Sequence, residues 1–248
     1  MIYGKLPVAF LSAISSEKKG STNSFIAGYI LEHLDDVRNM GIRELAAACG
    51  VSLSSVSRFC RMIGLEGFEE LRGLLVSSEF HFDGPVSPSE LSRRITDSIT
   101  AVQTSIDINA IRELCDDIHS HSKVAAFGLL KASAAAIDLQ SDMLMMGKYI
   151  HTSVPFSQQS EYIAGSDAGD LIIIFSYTGS YFEYEEFRSV KDKLKNPKIW
   201  LISGKDKPQP KFVDRAIIFD SRLDQAGHPY QLQFVSGLIA NECAKRYR

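Results

Sequence analysis

Residues 42–75, IRELAAACGVSLSSVSRFCRMIGLEGFEELRGLL, constrain the fold of this chain more than any other stretch. Apolar residues recur at helical spacing on either side of a Gly-Val pair, and a Gly-Phe stop, Gly67-Phe68, follows the second run. Leu45, Ala46 and Cys49 share one helical face. Gly50 offers the left-handed backbone that ends a helix, Val51 fills the angle between two helices, and Ser52 caps the next one. In that second helix Val56, Phe59, Cys60 and Ile63 form the inward stripe. Ser52, Ser54, Ser55, Ser57, Arg58 and Arg61 are left for contact with a partner. Small hydroxyls allow close approach to a groove and reach phosphates or base edges, and arginine forks onto guanine or clamps a phosphate. The spacing therefore predicts a helix-turn-helix with double-stranded operator DNA as its partner. A solvated amphipathic hairpin would need the stripe, but not the agreement of turn, cap and small outward residues.

The same residues carry a resemblance. Glu44-Leu45-Ala46, Gly50-Val51-Ser52, Val56-Ser57-Arg58-Phe59-Cys60, Ile63-Gly64 and Gly67-Phe68-Glu69-Glu70-Leu71 follow one another without a break. In this the segment resembles the N-terminal domain of RpiR/MurR-type bacterial transcription regulators. That resemblance implies a DNA-binding regulator, with Arg58 inside the shared motif.

A chain of 248 residues with 45% hydrophobic content is long enough for two modest domains. Its net charge of -3 excludes a generally basic surface, so DNA contact must be local and doubled by dimerisation. Cys49, Cys60, Cys115 and Cys243 lack CxxC or metal-ligand spacing, which fits reduced core thiols in a cytoplasmic protein. No metal is expected. The apolar stretch after Lys5 and Pro7 runs only to Ile14, too short for a signal peptide or a membrane span. Leu6 to Ile14 suits a short helix. Ser21-Thr22-Asn23 suits the cap of another, with Phe25, Ile26, Tyr29, Ile30 and Leu34 as its core stripe. The run Asp83-Gly84-Pro85-Val86-Ser87-Pro88-Ser89 is a linker by composition. The expected domains are thus 1–82, all-α helix-turn-helix, and 90–248, joined by 83–89.

From Ser89 the pattern changes. Leu91 to Ser105 and Ile108 to His119 have helical periodicity. Lys123 to Phe127, Lys148 to Thr152, Asp170 to Phe175, Lys198 to Ile202 and Arg215 to Phe219 have strand character, separated by helical stretches. This predicts an α/β domain with a parallel sheet covered on both faces. Leu171 to Phe175, apolar throughout, is the expected central strand. The loop after it, Ser176-Tyr177-Thr178-Gly179-Ser180-Tyr181-Phe182-Glu183, is rich in hydroxyls and lies where open α/β sheets bind ligands. It suits a phosphate. A hydroxylated surface turn eased by Gly179 has the same composition.

This half resembles the flavodoxin-like sugar isomerase (SIS) domain, which together with a helix-turn-helix makes up the RpiR architecture. The resemblance implies a phosphorylated sugar or sugar derivative as effector, held by Ser176, Thr178 and Gly179. A homodimer or homotetramer is the expected assembly, because one helix-turn-helix buries too little and carries too little positive charge for tight binding. It also marks departures. Position 181 is Tyr in place of a small hydroxyl. The first strand ends in Gly128-Leu129-Leu130-Lys131-Ala132, where the family has G-x-G-x-S, and Ser133 stands one place late. Leu130 puts a side chain where glycine lets backbone approach a ligand, and Ala132 removes a hydroxyl donor; each lost contact costs roughly 1 kcal/mol or more. Lys131 and Ser133 are the candidates to compensate. Two other functions stay open: a regulator whose SIS domain only dimerises, and a sugar-phosphate isomerase using Glu183 or His228 as its base. Both residues also have structural roles at helix starts. The reading preferred is a regulator that is not an enzyme and needs no cofactor.

Overall fold

Side-chain caps start several of the helices. Ser21 Oγ accepts from the Ser24 N–H at 3.1 Å, Ser52 from Ser55 at 3.2 Å, Ser87 from Glu90 at 3.2 Å, and the Asp107 carboxylate from Asn109 at 2.9 Å. The structure, a computed structural model, describes residues 5–16, 20–77, 87–188, 190–204, 209–221 and 224–247. Residues 83–86 of the expected linker lie outside these. Its last residues begin a helix, because Ser87 caps and Pro88 stands in the first turn.

The N-terminal helices are α1 (Lys5–Ser16), α2 (Thr22–Glu32), α3 (Leu34–Val37), α4 (Ile42–Ala48), α5 (Leu53–Met62) and α6 (Phe68–Ser77). Phe10, Ile26, Ile30, Val37, Leu45, Val56, Phe59 and Leu71 form their shared core, with Phe10 and Phe59 stacked at 6.2 Å. The first glycine stop acts as expected, and the second helix ends at Gly64, ahead of the expected Gly67-Phe68 stop. At Gly50 (φ 62°) the Val51 N–H reaches Ala46 O at 2.9 Å and the Gly50 N–H reaches Ala47 O at 3.0 Å. Gly64 (φ 79°) repeats this with Leu65 to Cys60 and Gly64 to Arg61. One expectation is corrected: Phe25 is 53% exposed, because the inward stripe of α2 runs through Ile26, Ala27 and Ile30.

After α7 (Pro88–Ser105) and α8 (Ile108–Ser120) come β1 (Lys123–Gly128), α9 (Ala132–Met145), α10 (Phe156–Gly165), β2 (Asp170–Phe175), α11 (Glu185–Arg188), β3 (Lys198–Ser203), β4 (Arg215–Ile218) and α12 (His228–Tyr247). The strands pair in parallel in the order β1-β2-β3-β4, and every residue of β2 is buried. Alternation divides the core. Val124, Ala126, Leu171, Ile173, Trp200 and Ile202 pack with α8, α9 and α12, while Ala125, Phe127, Ile172, Ile174, Ile199 and Leu201 pack on the opposite face with Phe156 and Ile163 of α10 and Phe187 of α11.

Lys148 to Thr152, expected as a strand, is reduced to one bridging residue. The His151 N–H donates to Val124 O at 2.8 Å and its carbonyl accepts from Ala126 at 2.9 Å. The segment is held at both ends: the Lys148 N–H closes α9 onto Met143 O, and the Ser153 and Val154 carbonyls turn to the Gln159 amide. His151 still lies on the side of β1 away from β2. The chain therefore leaves β1 to one side through α9 and returns to the other through α10, on opposite faces of the sheet. The order reverses between β1 and β2, and the crevice of a doubly wound sheet opens at such a point.

Candidate DNA-reading face and effector cleft

Along α5 the inward stripe is buried as expected, and the remaining residues face out. Ser52, Ser54, Arg58 and Arg61 are exposed, and Ser55 and Ser57 are half-buried. The hydroxyls of Ser54 and Ser55 lie 2.8 and 2.9 Å from that of Ser52, and Arg58 Nη2 donates to Ser55 Oγ at 3.3 Å. A hydroxyl cluster thus surrounds the positive end of the helix, with a guanidinium folded over it. Arg38 and Arg72 are tied to Asp35 and Glu69. Arg43, Arg58 and Arg61 make no ion pair among the described residues, so their charge is available to an anion. Arg43, on α4, escaped the sequence reading. Its signal was its exposed place on the first helix of the pair, which crosses the DNA backbone in such motifs.

In the second half the switch-point crevice holds a cleft. The loop after β1 supplies Leu129, Leu130, Lys131 and Ala132, the loop after β2 supplies Ser176, Tyr177, Thr178, Ser180, Tyr181 and Tyr184, and His228 closes it from the start of α12. Gly128 lets the first loop turn this tightly, since a Cβ there would stand 2.6 Å from Ala132 O. Leu130 takes φ 53°, the backbone of the glycine it replaces, at a cost of about 1–2 kcal/mol.

The expected contact residues differ in how they are engaged. Thr178 is half-buried, and its N–H and hydroxyl have no donor role among the described residues. Gly179, at φ 65°, turns its N–H to Ser176 O at 2.8 Å. Ser176 is buried, and its hydroxyl oxygen accepts from the Tyr181 N–H at 3.2 Å. Lys131 lies at the rim with Nζ 3.1 Å from Gln225 O. The Ser133 hydroxyl donates back to Leu130 O at 2.6 Å, and Ser133 is not among the residues lining the cleft. Tyr181 is 1% exposed, and its hydroxyl donates to Gln159 Oε1 at 2.9 Å.

Gln159, missed in the sequence, is the joint of this region. Fully buried, its amide nitrogen reaches the carbonyls of Gly128, Ser153 and Val154 at 2.8–3.1 Å while its oxygen holds Tyr181. The ends of β1 and β2 are thereby linked through one side chain. On the other wall the Tyr177 ring lies 4.5 Å from the His228 ring, and its hydroxyl is hydrogen-bonded to that of Ser221. His228 Nδ1 donates to Asp224 O at 3.0 Å, and burial lowers its pKa to about 4. At neutral pH the ring carries no charge for a phosphate. Glu183, the other candidate base, is exposed and outside the lining.

A helix-turn-helix with a serine and arginine face, followed by a doubly wound domain with a cleft at its switch point, is the architecture of a DNA-binding regulator. Residues 8–80 match the helix-turn-helix domain of the rpiR family. The chain is 25% identical over 242 residues to an HTH-type transcriptional regulator from the aarA 3′ region of Providencia stuartii, covering 91% of this chain and 86% of that one. It is also 25% identical over 173 residues to the HTH-type transcriptional regulator HexR of Pseudomonas aeruginosa, a match spanning 65% of this chain and 61% of HexR. Among solved structures, the NanR protein of Vibrio vulnificus, complexed with ManNAc-6P, has the same fold, with a TM-score of 0.55 at 17% identity over 92% of this chain and 88% of that one. The sugar isomerase domain of an RpiR transcription factor from Sphaerobacter thermophilus covers 64% of this chain and 90% of its own, with a TM-score of 0.52 at 16% identity. Residues 8–80 are thus a helix-turn-helix of the rpiR family type, and the second half shares the fold of a sugar isomerase (SIS) domain. Among the described residues no helix is long and apolar enough to cross a membrane.

Proposed function

We propose that this regulator binds a palindromic operator through α5 and senses a phosphorylated sugar or sugar derivative in the β1–β2 cleft. The division of labour follows the expected domains, 1–82 for DNA and 90–248 for effector and assembly, and the setting is the cytoplasm. The observation that carries the sensing role is the position of Thr178 and Lys131, donors from different strand ends, on one cleft at the switch point. The ManNAc-6P bound by NanR supports the ligand class. Replacing Ser176 and Thr178 together by Ala removes two of the hydroxyls of the second loop. In that variant the effector is expected to lose its influence on operator affinity, while affinity without effector is kept. An effector response equal to the wild type's would remove the cleft from the mechanism.

An isomerase is disfavoured by the same geometry. The described lining holds no carboxylate, and burial lowers the pKa of His228 to about 4, which makes its ring a weak base. Assembly is proposed to be at least dimeric and held by the second half of the chain. The outer face of α9 supports this, with Ile137, Leu144 and Met145 on one side of the helix and Met145 86% exposed. α12, which also offered apolar residues in the sequence, turns Ile239 inward and leaves Tyr230 partly exposed. Sedimentation of the full chain at micromolar concentration is expected to give a dimer or tetramer, and a monomer would refute the assembly.

A further inference from the structure

Leu53 is an apolar side chain in a polar place. It follows the cap Ser52 directly, is 44% exposed, and stands outside the core that Val56, Phe59 and Cys60 join. A single exposed leucine asks for no explanation by itself. Its position does. When a helix-turn-helix docks, the first residues of its second helix are the ones brought to base edges in the major groove, and Leu53 is the first residue of that helix here.

The polar side chains around it are partly committed to one another. The Ser52 hydroxyl accepts from the Ser55 N–H at 3.2 Å and lies 2.8 and 2.9 Å from the hydroxyls of Ser54 and Ser55, while Arg58 donates to Ser55 Oγ at 3.3 Å. Leu53 reaches one bond further out than any of these serines. The charge nearby suits DNA, with Arg58 and Arg61 exposed further along α5 and Arg43 exposed on α4.

A leucine can recognise little on a base edge. Against a donor or acceptor it displaces water and pairs with nothing, which costs binding energy. The thymine C5-methyl is the apolar group that unmodified DNA shows in the major groove, and apolar side chains pack on it. We infer that Leu53 packs on a thymine methyl in each half-site of the operator and is a specificity-determining residue of this protein. This rests on the operator binding proposed above and adds a base to it. Opposite other bases Leu53 covers polar groups without pairing them, so it selects against those as well as for thymine.

The test starts from an operator selected by the full-length protein out of a pool of random duplexes. Fluorescence anisotropy at one fixed salt concentration compares it with duplexes in which each dT is replaced by dU, symmetrically in the two half-sites. dU lacks the C5-methyl and keeps the hydrogen-bonding groups of dT. For the wild type one symmetric pair of replacements is expected to weaken binding roughly fifteenfold, about fourfold for each methyl withdrawn from a buried contact. Leu53→Ala should bind the unmodified operator at least that much more weakly and be indifferent to the same replacement. Met62→Ala, which truncates the other exposed large apolar residue of α5 at its far end, should keep the full response. An operator on which no dU weakens the wild type overturns the thymine contact and leaves operator binding standing, and this series requires no variant to fold. A Leu53→Ala protein that still responds to dU, or a Met62→Ala protein that has lost the response as fully, overturns the role of Leu53. Failure of the wild type to enrich any sequence overturns operator binding and this contact together.

Discussion

Arg58→Ala and Arg61→Ala are each expected to weaken operator binding by about 1–3 kcal/mol, roughly 5- to 150-fold, with unchanged unfolding midpoints. Both side chains are exposed on α5, and neither contributes to the core beneath. Phe59→Ala should do the reverse. Phe59 is fully buried and stacked on Phe10, so truncation should cost about 3–5 kcal/mol of stability. The arginines are further separated by sequence dependence. Arg58 lies over the cap hydroxyls, so if it clamps a phosphate its loss weakens specific and non-specific DNA alike, and Ser54 and Ser55 are left to read bases. Fluorescence anisotropy at one fixed salt concentration, on operator and scrambled duplexes, measures both effects. Folded Arg58→Ala and Arg61→Ala proteins that bind the operator as the wild type does would remove α5 from the groove.

Gln159→Leu is expected to destabilise the second half of the chain by about 3 kcal/mol or more, the largest effect of any polar substitution near the cleft. The variant leaves the carbonyls of Gly128, Ser153 and Val154 and the Tyr181 hydroxyl without their Gln159 partner, and the Gly128 and Tyr181 bonds are buried. Tyr181→Phe breaks one bond of that set and should cost about 1 kcal/mol. Urea denaturation of the two variants separates them. Comparable small losses in both would show that the joint between the strand ends is not what holds them.

The helix-turn-helix was legible because each of its parts is local. A left-handed glycine, a capping serine and an inward stripe act within a few residues of one another, and Gly50, Ser52 and Phe59 all stand where their neighbours imply. Phe25 misled because the stripe of α2 can be drawn through either Phe25 or Ala27, and only the packing of α1 and α5 decides. The sheet was legible from its apolar runs, and Lys148 to Thr152 shows the limit of that signal. Residues of strand composition pair only if the chain beyond them is free to continue, and here a helix stop and the Gln159 amide claim both ends. The cleft was half visible. Its loops follow from strand ends, but Gln159 binds carbonyls from two distant turns, and His228 enters from the start of α12, two strands further along the chain than the loop that carries Thr178. No local pattern announces such long-range placement.

The single-residue bridge at His151 also bears on how copies of this protein avoid polymerising. A sheet edge with a regular row of unpaired N–H and C=O groups is a template for another strand. Here the flank of β1 is occupied by an irregular segment whose carbonyls are turned inward, and the opposite outer strand, β4, is four residues long and begins with Arg215 paired to Glu113. Neither border offers a straight run on which a second sheet could grow. Association is directed instead to side chains on helical surfaces, where a closed, countable assembly is possible and an open-ended fibre is not favoured.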